Sequence, residues 1–266
     1  MIPAISGALS SVVGSATVLK NANGAGRLYE LFLMTSIADN LRSAGATVWV
    51  RRSDGTKIDP GDANRQFVQR GGSPSGLPGS GQGANGMSAF AFQLKNSQRE
   101  WEIWNGVQFY GRSGAKHEFD IAIVPAHTAS TLRARRTGGV PFGRPVVAIE
   151  CKDVSTPGTV DEMRAFVARL YDVTALDGHA PYLKSVCIPL TGIHPGRLPD
   201  DEPHRTFRHS NFACRSILVR RTGFASGALA MTSYYSIDPR YNVVPTSSQH
   251  NSFLADLTAW IGANLA

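Results

Sequence analysis

Near the middle of the chain, an apolar run ends in an acid and a lysine: Val146-Val147-Ala148-Ile149-Glu150-Cys151-Lys152. The β-branched residues of this run favour a buried strand. Because side chains alternate along a strand, Glu150 and Lys152 are expected on one face and Cys151 on the other. Burying charged groups is costly, so an acid and a lysine at the end of an apolar strand indicate a functional site.

A second apolar strand with an acid precedes this one in the chain. Residues 118–124 read EFDIAIV, with Asp120 near the start of the predicted strand. Two neighbouring strands would then carry an acid and an E-x-K sequence. The alternative for Glu150 and Lys152 is a solvated strand end with a chance E-x-K, but the run before them is apolar at every position.

A third acid lies on the helix predicted with the strongest pattern, residues 28–44, which Gly45 ends. At 100° per residue, Glu30 falls on the same stripe as four apolar side chains, while Thr35 and Asp39 fall on the opposite side. The apolar members of the stripe are Leu33, Met34, Ile37 and Leu41. A glutamate stabilised in the first turn by the helix dipole is the alternative interpretation.

The pattern D…E-x-K on adjacent strands, with this order of elements, resembles the PD-(D/E)XK nuclease superfamily, the restriction-endonuclease-like phosphodiesterases. The resemblance covers about residues 24–190. It implies an α/β fold with a mixed sheet and an αβββαβ core. Residues 1–266 would form one domain, with an N-terminal helix and a C-terminal elaboration over 191–266. The chain departs from the family pattern in two respects: Phe119 stands where the literal Pro-Asp dipeptide has proline, and the gap from Asp120 to Glu150 is long.

The resemblance also implies a chemistry, which is hydrolysis of phosphodiester bonds with Mg²⁺, for which Mn²⁺ could substitute. Asp120 and Glu150 would hold the metal together with the backbone carbonyl of Cys151, and Glu30 would hold a second metal or a metal-bound water. Mg²⁺ prefers oxygen and often takes only one or two carboxylates. Lys152 would orient or deprotonate the attacking water and offset negative charge. Asp120, Glu150, Lys152 and Glu30 are therefore the predicted catalytic residues.

The remaining pattern predicts the other elements of the fold. Helices are expected within 1–19 and over 161–172 and 251–265. Strands are expected over 47–52, 89–94, 101–110, 184–190, 214–221 and 228–237, with 89–94, 101–110 and 118–124 antiparallel. Residues 53–88 and 126–144 are polar and rich in glycine, and they are predicted to be loops.

The charge balance favours a polyanionic partner. Lysine and arginine number 27 against 20 acids, which gives a net charge of +7 and a pI near 9.6. Six arginines in or beside the two loops are predicted to contact phosphates, although solvated loops are the plainer interpretation. They are Arg65, Arg70, Arg133, Arg135, Arg136 and Arg144. Residues 126–144 join the two motif strands, so this loop is expected to emerge near the acids.

Composition and motifs narrow the class of protein. Three cysteines without C-x-x-C spacing favour a reducing cytoplasm, and no segment is apolar and long enough to span a membrane. The chain has no G-x-S-x-G, H-E-x-x-H or Walker motif. The prediction is a DNA endonuclease of bacterial restriction or anti-phage type. Alternatives are a nucleic-acid-binding protein without cleavage and an RNA- or structure-specific nuclease. Since cutting both strands of a duplex needs two sites, a homodimer or larger assembly fits the prediction.

Overall fold

The computed structural model describes residues 1–22, 24–69, 76–79, 81, 86–111, 113–141, 143–173 and 214–266. Its helices are α1 Ile2–Val13, α2 Ala25–Ser43, α3 Ala126–Arg133, α4 Val160–Val173, α5 Ser226–Tyr235 and α6 Ser248–Asn264. Its strands are β1 Val18–Lys20, β2 Thr47–Arg51, β3 Gln66–Val68, β4 Ala89–Gln93, β5 Glu100–Tyr110, β6 Lys116–Pro125, β7 Val147–Lys152, β8 Arg215–Arg220 and β9 Ile237–Arg240.

Seven of these strands form one central sheet in the order β2-β4-β5-β6-β7-β8-β9. Each pair from β2 to β7 is antiparallel, whereas β8 is parallel to β7 and β9 is parallel to β8. Strands β1 and β3 form a separate parallel pair. The protein is therefore a mixed α/β fold around a mostly antiparallel sheet.

Helices cover both faces of the sheet, and β7 divides its side chains between them. Ile149 packs in a core cluster with residues of α1, α2 and α6, whereas Ala148 packs in a second cluster with residues of α3 and α4. This division follows from the two-residue period of a strand. Because both faces are covered, β7 is apolar at nearly every position.

The hairpin of β5 and β6 bends sharply at Gly106 and Asp120. Alternation would put Ile103 and Val107 on the same face, yet Ile103 packs in the first cluster and Val107 in the second. Gly106 has φ of 60°, a left-handed conformation that glycine adopts without strain. Beyond the bend, the hairpin lies over the α4 side, where His117 contacts Asp172 at 2.6 Å.

The bend separates β6 from β7. Their pairing runs from Ile123–Val147 to Ile121–Ile149 and ends there. The next position on each strand carries an acid, Asp120 and Glu150. The pairing of β6 with β7 therefore ends at the two acids, and we call this gap in the sheet the cleft. There β7 is paired only with β8 among the described strands.

Most predicted elements on the described residues are confirmed. Helices α1, α2, α4 and α6 and the strands of the β4–β5–β6 meander lie within a few residues of their predicted bounds. The prediction that Thr35 lies on the solvent side of α2 is wrong, because it is fully buried. Helix α2 is covered by α1 and α6 as well as by the sheet, so it buries more than one stripe.

Three other predictions need correction. Residues 228–237 form helix α5 followed by β9, since their alanine, leucine and methionine content favours a helix. Residues 126–144 begin with α3, and residues 53–88 contain β3. The predicted strand 184–190 lies outside the described residues. Strand β8, which the sequence suggested for the C-terminal elaboration, pairs directly with β7 in the central sheet.

Candidate active site

Asp120 and Cys151 meet where β6 leaves β7. The backbone N–H of Cys151 donates to Asp120 Oδ2 at 2.7 Å, so the carboxylate occupies the position that a continuing strand would fill. The N–H and C=O of a strand residue point to the same side, so the carbonyl of Cys151 also faces this cleft. The cleft therefore contains carboxylate and carbonyl oxygens from both strands.

Glu150 is the most buried acid of the cleft, with 3% of its surface exposed. Its Oε1 accepts from Lys152 Nζ at 2.5 Å and lies 2.8 Å from Arg169 Nη2. Its Oε2 is also buried and has no hydrogen-bond partner among the described residues. A buried carboxylate oxygen without a partner is costly, so this atom is placed to receive a ligand.

Glu30 reaches the same cleft from α2, on the other face of the sheet. Asn105 Nδ2 donates to Glu30 Oε2 at 2.7 Å and to the backbone carbonyl of Asp120 at 2.8 Å. This amide links the helix carboxylate to the strand that carries Asp120. The structure thus brings together the four residues predicted to be catalytic: Glu30, Asp120, Glu150 and Lys152.

The carboxylates of the cleft repel one another. Burial, with Glu150 and Glu30 nearby, raises the pKa of Asp120 well above its usual range, although Cys151 N–H and Lys152 act in the opposite direction. Burial alone would lower the pKa of Lys152, but Glu150 and Asp120 outweigh it and the pKa is raised. A cation between the carboxylates would reduce their repulsion, and Lys152 stays protonated at neutral pH.

The chemistry of the cleft suits a hard divalent cation held by few protein ligands. Within the described ranges, no three acidic, histidine or cysteine side chains are grouped so that they could hold a metal ion. Mg²⁺ does not need such a group, because it binds through one or two carboxylates and keeps several waters. Asp120, the unpartnered Oε2 of Glu150 and the carbonyl of Cys151 fit that requirement, with Glu30 beside them.

Sequence analysis missed Arg169 and Asn105, which contact the predicted residues, and Gln69, which contacts Asn105. Arg169 lies on α4, where its Nη1 donates to the carbonyl of Glu118 at 3.1 Å while Nη2 contacts Glu150. It therefore bridges the departing β6 and β7. The position of Arg169 in the sequence did not indicate a role in the site, because the packing of α4 on the sheet brings this arginine to Glu150.

Two of the arginines predicted to bind phosphates are instead buried. Arg133 donates to Glu102 Oε2 at 2.8 Å and to the carbonyl of Ser53. Arg144 is 1% exposed, donates to Ser216 Oγ, and has its pKa lowered by burial. The prediction is wrong for both, because α3 and the start of β7 pack these side chains inward.

The other four predicted arginines divide differently. Arg65 donates to the backbone carbonyls of Ala16, Pro60 and Asp62, so it supports its own loop. Arg135 and Arg136 are exposed, and Arg70 lies outside the described residues.

The sequence predicted that residues 126–144 emerge near the acids. In the structure they leave the sheet elsewhere. Strands β6 and β7 are antiparallel, and their connection begins after Pro125 and returns at Val146. Asp120 and Glu150 lie at the opposite end of the pair. An antiparallel pair places its connection at one end only, so this prediction is wrong.

No protein-family model matches the chain, and searches of the curated proteins and of the solved structures give no significant match. No helix in the described part of the chain has the length and apolar character needed to cross a membrane.

Proposed function

We propose that the chain is a divalent-metal-dependent nuclease of PD-(D/E)XK type that hydrolyses phosphodiester bonds in DNA. The observation that carries this proposal is the meeting of Asp120, Glu150 and Lys152 where β6 leaves β7, with Oε2 of Glu150 buried and unpartnered. The order of α2, the antiparallel β5–β6–β7, α4 and the parallel β8 supports it. This is the αβββαβ order that the resemblance implies, with β2, β3, β4 and α3 inserted and with β8 in place of the predicted strand 184–190.

Each residue of the cleft has a distinct role in this proposal. Asp120, Glu150 and the carbonyl of Cys151 would hold Mg²⁺, and Glu30 would hold a water or a second cation beside them. Bound Mg²⁺ would supply an activated water near neutral pH and offset charge on the phosphoryl oxygens.

Lys152 acts as a cation rather than as a base. Its raised pKa keeps the ammonium protonated, so it donates a hydrogen bond and positive charge. Lys152 Nζ has three N–H donors and gives one contact to Glu150, so it can also donate to the attacking water or to a phosphoryl oxygen. Such preorganised charge stabilises the transition state without reorganisation at the moment of reaction.

Substrate affinity comes from the basic surface. The net charge is +7. Arg135 and Arg136 are exposed, whereas Arg133 and Arg144 are buried. Neutralising Arg135 and Arg136 together should weaken binding and lower the slope of log affinity against log salt by about 2. Fluorescence anisotropy over a salt series measures this, with Arg42→Ala, an exposed arginine paired with Asp39, as control. An unchanged slope in the double variant would remove the two arginines from the interface.

Plasmid DNA incubated with the purified chain tests the proposal directly. We expect cleavage with Mg²⁺ or Mn²⁺ and none with EDTA. Lys152→Ala should bind Mn²⁺ like the wild type yet cleave about 100-fold more slowly, since it removes a charge and no ligand. Full activity of Lys152→Ala contradicts the role of the lysine. Metal-independent DNA binding without cleavage would favour a nucleic-acid-binding protein, and cleavage of RNA or junctions alone would identify a different substrate.

A further inference from the structure

We infer that Asn105 and Gln69 are positioning residues that hold the Glu30 carboxylate in the cleft and make its position depend on the docking of β3, which Gln69 follows. The inference rests on the proposed function and deepens it, because it adds a second set of residues that governs metal binding. Neither amide belongs to the D…E-x-K pattern.

Asn105 is the link between the two faces of the sheet. It is 2% exposed, and it precedes Gly106, at which β5 bends. The Nδ2 group gives both of its contacts to the site, one to Glu30 Oε2 and one to the carbonyl of Asp120. A single amide therefore fixes the distance between the helix carboxylate and the strand that carries Asp120. A buried hydrogen bond to a carboxylate is stronger than one between neutral groups.

Gln69 in turn fixes the orientation of Asn105. Gln69 Nε2 donates to Asn105 Oδ1 at 3.3 Å and to the carbonyl of Arg27 on α2 at 2.8 Å. Because Asn105 Oδ1 accepts from Gln69, the Nδ2 group of Asn105 is directed towards Glu30. Gln69 is 1% exposed, and its own Oε1 has no hydrogen-bond partner among the described residues. The Nε2 group of Gln69 thus makes two contacts in the interior. Burial of the unpaired Oε1 costs free energy, which indicates that these two contacts are important.

Gln69 belongs to the polar segment 53–88, and the backbone around it is well anchored. The N–H of Gln69 donates to the carbonyl of Lys20 at 3.0 Å, and Ser88 N–H donates to the carbonyl of Val68 at 2.8 Å. Strand β3 ends one residue before Gln69 and pairs with β1. The docking of β3 is therefore transmitted to Glu30 through two amides, Gln69 and then Asn105.

The test compares Asn105→Ala and Gln69→Met with the wild type in the full-length chain. Mn²⁺ calorimetry should show affinity reduced about 10- to 100-fold in Asn105→Ala, as for other residues that orient metal ligands, and less in Gln69→Met. In cleavage assays the Mg²⁺ concentration for half-maximal rate should rise while KM for DNA stays unchanged. Crystal structures should show the Glu30 carboxylate turned away from Asp120 in Asn105→Ala. Asn40→Ala is the matched control, since among the described residues that amide of α2 bonds to Leu254 and Thr258 of α6.

The outcomes distinguish the proposed function from the relay, by which we mean the contacts from Gln69 through Asn105 to Glu30. Wild-type protein that binds Mn²⁺ but cleaves no nucleic acid contradicts the function alone. An Asn105→Ala protein that keeps the wild-type Glu30 position and Mn²⁺ affinity overturns the relay alone. If the wild type binds no Mn²⁺, the metal site fails, and the position of Glu30 in the two variants still decides the relay. If Asn105→Ala does not fold, Gln69→Met with unchanged Glu30 position and affinity overturns it.

Discussion

Two buried glutamates on the central sheet, Glu102 and Glu150, have opposite surroundings. Glu102 is fully buried, and both of its oxygens are satisfied: Oε1 by Arg51 at 2.7 Å, and Oε2 by Arg133 at 2.8 Å and Trp104 Nε1 at 2.9 Å. Glu150 has both cations on Oε1 and none on Oε2, and two further carboxylates lie near it.

The difference separates a structural carboxylate from a functional one. The Glu102 cluster is closed, because each carboxylate oxygen has a cation or donor, so adding a ligand there would gain nothing. The Glu150 cluster is open, because an oxygen is unpartnered and the neighbouring acid has a raised pKa. Both glutamates are buried and both contact two cations, so the distribution of donors over the oxygens and the neighbouring acids distinguish them.

The largest expected effect is on cleavage by Glu150→Ala. Removal of the carboxylate deletes a metal ligand, so the rate should fall on the order of 1000-fold and Mn²⁺ affinity should fall with it. The variant should remain folded by circular dichroism, and DNA binding should persist because it depends on the basic surface. Wild-type cleavage by Glu150→Ala would abolish the distinction between the two glutamates.

Glu102→Ala should instead affect folding. The substitution leaves Arg133 and the Trp104 N–H buried without their partner, so the free energy of unfolding should fall by about 3–5 kcal/mol. Mn²⁺ affinity measured on the remaining folded protein should match the wild type. Urea unfolding and calorimetry at low temperature measure the two quantities. A loss of metal affinity without loss of stability would reverse the assignments.

A smaller effect is expected from Arg169→Met, compared with Arg164→Met on the same helix. Arg169 is 25% exposed and holds Glu150, so its loss should lower the cleavage rate about 10-fold. Arg164 is 68% exposed and pairs only with exposed Asp161, so its loss should leave cleavage and stability unchanged. Equal rates for the two variants would show that Lys152 alone suffices to hold Glu150.

The smallest effect concerns pH and Asp120. Its pKa is raised in the folded state, so the folded protein binds more protons, and the free energy of unfolding falls as pH rises above the ordinary carboxyl pKa towards the folded-state value. Asp120→Asn keeps an oxygen for the Cys151 N–H and loses this proton. In EDTA it should be more stable than the wild type at about pH 8, with the advantage vanishing towards about pH 4. Urea unfolding across that range measures both curves, and parallel curves would contradict the repulsion between the carboxylates.

Periodicity made the helices and meander strands predictable, because an amphipathic or apolar stretch has few ways to bury its surface. It failed at 228–237, where a short apolar run was interpreted as a strand although alanine, leucine and methionine favour the helix that forms. It also failed for Arg133 and Arg144, since the sequence of a polar segment does not show whether a basic side chain is solvated or buried. Arg133 is buried against Glu102.

The sequence by itself determined that Asp120, Glu150 and Lys152 lie on apolar strands, with Glu150 and Lys152 on one face, and that Glu30 lies on an inward-facing helix. Local periods of two and 3.6 residues suffice for that. Only the tertiary structure decided that β5 and β6 bend at Gly106, that the cleft opens between β6 and β7, and that Arg169, Asn105 and Gln69 meet there. Those contacts join residues up to 75 positions apart, as between Glu30 and Asn105, and long-range contacts depend on how whole elements pack rather than on the pattern within any one of them.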